Sequence, residues 1–171
     1  MSKGLPRSLS RGDRARRSIV TARLTVAESM SFTGSTGVAV YATAPLESFP
    51  EGNILLLGAV ANLTFTGPTS TNLTNDFEGD YSLGTTPTAD TTLSGTDANL
   101  VASTAIPAAT AEVSANVRGT NAVQAIIDNT DGTAEINLNV TLDADEVTNA
   151  ATVAIAVTGT IDIAYVILGD D

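Results

Sequence analysis

Glu135-Ile136-Asn137-Leu138-Asn139-Val140-Thr141-Leu142 decides the fold class. Apolar residues occupy every even position and polar residues every odd one. A strand places successive side chains on opposite faces, so this period of two specifies a half-buried β-strand. Ile136, Leu138, Val140 and Leu142 point to the core. Asn137 falls on the opposite parity, where truncation to Ala should cost far less than Leu138→Ala. On the N-terminal side, Ala122 to Ile127 leads into Asp128-Asn129-Thr130-Asp131-Gly132, which reads as a hairpin loop ending in Asp-Gly. On the C-terminal side, Asp143 to Asn149 is an acidic loop. Val153, Ile155 and Val157 mark the next strand, Thr158-Gly159 a turn, and Ile161, Ile163, Tyr165 and Ile167 the last strand.

The N-terminal half repeats the pattern. Val20, Ala22, Leu24, Val26, Met30 and Phe32 share one parity, broken only by Glu28. Gly34 to Gly37 is a turn, Val38 to Thr43 a short strand, and Pro45 to Gly52 a loop. Asn53 to Thr66 is apolar on both parities, as a strand covered on both faces would be, and Gly58 within it suggests a bulge. Phe77, Gly79, Tyr81 and Leu83 alternate with Glu78, Asp80 and Ser82. Gly84 to Ile106 holds one or two short strands such as Asn99 to Ser103. Pro107 is placed to open a helical turn through Ala108 to Ala111, or the region of Val113 and Val117 to be strand. About eight or nine strands with little helix predict a single all-β domain, a sandwich or barrel over residues 18–171. Leu56, Ile136, Leu138, Ile155 and Ile163 are assigned to its interior.

Charge divides the chain. Lys3, Arg7, Arg11, Arg14, Arg16, Arg17 and Arg23 are seven of its 8 basic residues, with only Asp13 among them. The remainder carries Arg118 alone against eighteen acids, a net charge of about −17. Residues 1–17, rich in Ser, Gly and Arg, read as a flexible arm on an acidic body. The arm has three readings: a solubilising tail, a phosphate-binding arm, or a segment that docks on an acidic protein surface. No aromatic is interleaved with the arginines, which disfavours base stacking. Arginine's planar fork suits carboxylates.

Several chemistries are excluded by composition. With 0 His and 0 Cys there is no imidazole base, no thiol nucleophile, no zinc site of the usual kind and no disulfide. Asp128 to Gly132 fails as a calcium loop, because the EF-hand alignment puts Ile127 and Leu138 at ligand positions. The clusters Asp76, Glu78, Asp80 and Asp143, Asp145, Glu146 read as solvated loop acids. Aromatics are too few to line a glycan-hydrolysing groove. The sequons at Asn62, Asn72 and Asn139 are those expected by chance in a Thr-rich chain. No apolar run is long enough for a membrane helix, and the alternation from Ser18 to Ala27 does not fit a secretory signal. The sequence therefore predicts a non-enzymatic protein without a cofactor.

Three stretches carry a resemblance: Phe49-Pro50-Glu51-Gly52-Asn53-Ile54-Leu55-Leu56-Leu57-Gly58, Glu78-Gly79-Asp80-Tyr81-Ser82-Leu83-Gly84-Thr85, and Val157-Thr158-Gly159-Thr160-Ile161 through Leu168-Gly169-Asp170. They resemble small structural proteins of tailed double-stranded DNA phages, of the capsid decoration or cement type. The resemblance implies a jelly-roll-like β domain, assembly as a homotrimer, the major capsid protein as partner, and a place on the outer surface of the virion capsid. It carries over no functional residue. The acidic body would be repelled by nucleic acid and by anionic membranes, so neither is expected as a partner and only the arm could approach either. The alternative within the same particle is a tail, fibre or host-surface-binding module. A hydrolase using the acidic loops is a third reading.

Overall fold

The computed structural model describes residues 19–74, 76–108, 117–120 and 126–169. Its strands are β1 (Ile19–Thr33), β2 (Val40–Ser48), β3 (Asn53–Thr66), β4 (Gly79–Gly84), β5 (Val101–Ile106), β6 (Val117–Thr120), β7 (Ile126–Ile127), β8 (Glu135–Leu142) and β9 (Thr152–Gly169). One 3-10 turn, Gly95–Asp97, is the helical element among the described residues.

Two antiparallel sheets result. The first has the order β1-β9-β3-β6, with β7 also pairing β3, and the second the order β2-β8-β4-β5. The ladders β1·β9, β2·β8, β3·β6 and β4·β5 are nested, like successive rungs of one long hairpin. The ladders β3·β9 and β4·β8 then roll that hairpin up into two facing sheets. This wrapping is the topology of a jelly roll. The all-β sandwich expected from the alternation is therefore present.

The core lies between the sheets, and the parity rule placed it correctly. Leu56, Ile136, Leu138, Ile155 and Ile163 are all buried, together with Val26, Met30, Phe32, Phe65, Tyr81 and Leu83. Glu28 lies half-buried on the core side of β1, the one break in its pattern. β3 has one fully buried face and one half-buried face, and the two exchange at a register shift between Leu56 and Gly58. The bulge suggested by Gly58 is present, and Leu57 is the extra residue.

Five expectations need correction. First, β7 pairs with β3, whereas β8 pairs with β2 and β4. The Asp-Gly loop is therefore a crossover between sheets and not a hairpin. Buried Asn129 fixes this path. Its Nδ2 donates to the carbonyls of Phe49 (3.2 Å) and Pro50 (2.8 Å), and its Oδ1 accepts from Ala134 N at 2.7 Å. These tertiary bonds outweigh the local turn signal. Ala122 to Ala125 lie outside the described residues.

Second, β9 is one continuous strand. Thr158-Gly159 does not turn, because Val153, Ile155, Val157, Ile161 and Ile163 keep one parity across it and both neighbours stay paired. Gly159 has φ +147, and a Cβ there would fall 2.1 Å from the Asn62 carbonyl oxygen. Glycine here permits close passage of β3 and not a reversal. Third, β2 runs on through Pro45 to Ser48, with a register shift between Pro45 and Glu47. A proline cannot donate to a ladder, and it is tolerated because β2 is an edge strand.

Fourth, the strand near Asn99 to Ser103 begins at Val101 and reaches Ile106. Of the helical or strand readings after Pro107, Ala109 to Ala111 and Val113 lie outside the described residues, while Val117 opens β6.

Fifth, the polar face of β8 is not solvated. Asn137 is 3% exposed, Asn139 0% and Thr141 3%. The segment between β4 and β5 folds across this face. Asn139 Oδ1 accepts from Thr43 Oγ1 and from Thr88 N, both at 2.8 Å. Asn139 Nδ2 donates to the carbonyls of Thr86 (3.1 Å) and Asp97 (2.8 Å). All four amide bonds are made, so this side chain ties β2, β8 and the covering segment together.

A buried group whose partners are left unpaired loses about 1–3 kcal/mol. Asn139→Ala should therefore destabilise the fold by about 2–4 kcal/mol, comparable with the ~2–5 kcal/mol of Leu138→Ala. Urea denaturation followed by far-UV circular dichroism checks this. A loss for Asn139→Ala below about 0.5 kcal/mol, the level of ordinary surface changes, would place that side chain in solvent.

Candidate functional site: an acidic cleft and paired acidic loops

The crossover from β7 to β8 is built from two short side-chain-to-backbone turns. Asp128 Oδ1 accepts from Thr130 N (3.2 Å) and Thr130 Oγ1 (2.8 Å). Asp131 Oδ1 accepts from Thr133 N (3.1 Å) and Thr133 Oγ1 (2.8 Å). Such turns hold an irregular segment without ladder bonds. They also hold the Asp131 carboxyl below its ordinary value, because Thr133 donates to the ionised form. The Thr85–Pro87 bend faces this crossover across a cleft of about 380 Å³. Asp128, Asp131, Glu135 and Asn137 contribute to its lining. Asn137 Nδ2 is buried and has no hydrogen-bond partner among the described residues.

A second acidic site lies where the loop before β4 meets the loop after β8. Thr74 N donates to Glu146 O (3.0 Å), Thr148 N to Asn72 O (2.8 Å) and Asp143 N to Glu78 O (3.1 Å). These bonds bring together two sequence clusters that read as independent. Glu146 accepts from the Thr74 hydroxyl. Burial, followed by the charges of Asp76, Glu78 and Asp143, pushes its carboxyl up to about 7. Asp145 is set apart and accepts from Gly37 N at 2.7 Å. No group of three or more acidic side chains among the described residues is disposed to hold a metal ion.

Of the basic residues singled out, Lys3, Arg7, Arg11, Arg14, Arg16 and Arg17 lie outside the described residues. Arg23 lies within β1 and forms a bidentate pair with Asp162 of β9, at 2.7 and 2.9 Å. It is the register partner of Asp162, so the pair spans the two strands directly. Sequence reading also missed an outward row of apolar residues. Ile19, Val166, Leu55 and Ile126 are successive register partners across β1, β9, β3 and β7, and Ile19 and Ile126 are 63% and 64% exposed. Only the register brings them together, since they come from four distant segments.

Comparison with known proteins finds no matching family profile and no matching curated protein. Among solved structures, the chain is similar to one in the cyanophage Pam1 capsid asymmetric unit. That likeness has 16% identity, 98% of this chain and 99% of the other covered, and a TM-score of 0.39. It is also similar to the infectious bursal disease virus VP2 subviral particle, at 14% identity and a TM-score of 0.36. There it covers 87% of this chain and spans 33% of the other. These distant likenesses carry no functional argument, and the jelly-roll assignment rests on the strand order above.

The Glu146 environment gives stability a pH dependence. Its folded value of about 7 lies above the ordinary 4.5, so the folded state holds a proton that the unfolded state has lost. Stability from this group falls as pH rises from 4.5 to about 7 and is level above. Asp131 and Asp162 are shifted downward, so they titrate below this window. Glu146→Gln should therefore flatten the decline in Tm over that interval. Differential scanning calorimetry at half-unit pH steps would show an unchanged slope if Glu146 titrates as an ordinary carboxylate.

Proposed function

We propose that this chain is a structural virion protein, a decoration or cement protein that sits on the outer surface of a phage capsid and bridges its subunits. The observation that carries the proposal is the charge division: a basic arm, residues 1–17, attached to a jelly roll that is otherwise acidic. The fold supplies a compact body. The arm supplies a tether whose charge opposes that of its own body and of any acidic shell. Its partners are the major capsid protein and further copies of the chain, assembled as a trimer. Each arginine–carboxylate contact is worth little in solvent, about 0–1 kcal/mol. An oligomer that engages several subunits multiplies such contacts through effective concentration. Catalysis plays no part in this reading, and neither His nor Cys is present to support the commonest forms of it.

The second reading is a tail, fibre or host-surface-binding module. The cleft favours it, since threonine hydroxyls and carboxylates are the groups that bind sugar hydroxyls. Copy number separates the two. Quantitative mass spectrometry of purified particles should find hundreds of copies for decoration and few for a fibre.

Removing residues 1–17 should leave the sandwich folded but strip the protein from particles at moderate salt. Sodium chloride near 0.5 M should weaken full-length binding in the same way, because exposed charges are then screened within about 4–5 Å. Sedimentation of particles with bound protein measures both. A truncated chain that still saturates DNA-free capsids at that salt would exclude the arm as the main docking element. A full-length chain that shifts free DNA in a gel and ignores DNA-free capsids would favour the phosphate-binding reading.

A further inference from the structure

We infer that the cleft between the Thr85–Pro87 bend and the 127–137 crossover receives the arginine-bearing arm of a second copy of this chain. The inference rests on the assembly reading above and names the surface on which one copy grips the next.

Three features of the cleft specify the chemistry of its occupant. First, Asp128, Asp131 and Glu135 line it together. The turn bonds of both aspartates fall on Oδ1, so each carboxylate keeps a second oxygen for an incoming donor. Second, these acids do not converge as a metal-holding group. Cations spaced along a chain fit them better than one ion. Third, the wall includes Asn137, 3% exposed, with a buried Nδ2 that has no partner among the described residues. That orphan donor requires an acceptor. An ammonium or guanidinium group alone offers none. A peptide that brings its own carbonyl oxygens alongside its arginines offers both.

The arm matches this description. Arg7, Arg11, Arg14, Arg16 and Arg17 recur along it. Elsewhere the chain has only two bases, and Arg23 is already committed to Asp162. Its own arm is the poorer fit. The arm joins β1 at Ile19, and the row Ile19, Val166, Leu55, Ile126 separates that point from the crossover. Three strand spacings are roughly 14 Å, which four or five extended residues would span. The four or five residues nearest β1, Arg14, Arg16 and Arg17 among them, would be spent on crossing that row, which leaves only Lys3, Arg7 and Arg11 for the carboxylates. An arm arriving from a neighbour has no such constraint.

The absence of cysteine makes cross-linking a clean test, because each introduced thiol is unique. Full-length Ser10→Cys and full-length Ala134→Cys chains are mixed at high concentration and treated with a short bismaleimide. The expected result is a covalent heterodimer in at least ~10-fold excess over a mixture in which exposed Ala27→Cys replaces Ala134→Cys. Adding Asp128→Asn, Asp131→Asn and Glu135→Gln to the cleft chain should abolish that excess. The Asn side chains retain the carbonyl oxygen used in the turns, and circular dichroism verifies the fold. Glu135→Gln alone, at an exposed position, should reduce the excess several-fold if the triple variant fails to fold. Asp143→Asn with Asp145→Asn, which removes charge elsewhere, should leave it intact. A doubly substituted chain that closes only on itself, or an excess that survives loss of the cleft charges, overturns the inference. If no excess forms while recruitment to particles remains arm- and salt-dependent, the cleft assignment is wrong and the decoration reading stands. Loss of both overturns the two together.

Discussion

The architecture depends on β9 being held from both sides. It pairs with all 15 residues of β1 and, on its other edge, with β3 from Asn53 to Thr66. The ladders β2·β8, β3·β6 and β4·β5 are nested inside the first of these. The partners are far apart in sequence, as Ile19 meets Val166, so closing the sheet costs more loop entropy than a local hairpin would. A fold of such pairings forms slowly, because the cost is met before most of the core is buried. Once closed, the same ladder has no bulge along β1, and its inner parity places Val26, Met30, Phe32, Val153, Ile155 and Val157 in one packed layer.

The second sheet is held differently. β8 is buried on both faces, and only one of them is apolar. On the other, Asn139 anchors the covering segment with three hydrogen bonds and β2 with a fourth, and Ser82 Oγ joins it on the Asp97 carbonyl at 2.7 Å. Thr85 and Asn99 add a reciprocal pair, at 3.0 Å each way. A buried polar layer of this kind specifies one arrangement only when its members are satisfied. Asn139 meets that condition. Asn137, two residues earlier on the same face, does not, and that difference singles out the cleft.

The apolar side of this organisation was legible in the sequence because a period of two is a direct record of which face meets the core. The polar side was not. What covers Asn137 and Asn139 is a stretch rich in Thr, Gly and Asp, which has no periodicity to reveal that it packs. The hairpin reading at Asp128 to Gly132 failed for a related reason. Asp-Gly reports local backbone preference, whereas Asn129 commits the chain through contacts some 80 residues away. Gly159 and Pro45 likewise read as breaks, and paired neighbours override both. Of the functional features, the charge of the arm was evident from counting alone. The cleft and the Glu146 cluster were not, since each is assembled from two loops that only the topology brings together.

The nesting of β1 against β9 also sets how the body responds to force. Residues 19 and 169 lie at the same end of sheet one, where Ile19 faces Val166. Tension applied between the arm and that end of β9 would open the ladder one pair at a time, like a zipper. Tension between the arm and the opposite end of β9, at Thr152, loads all the β1 pairs in parallel, so they must shear together. A body anchored at its far loops and pulled by its arm therefore resists through the whole length of β1. The same body held at its near end yields rung by rung.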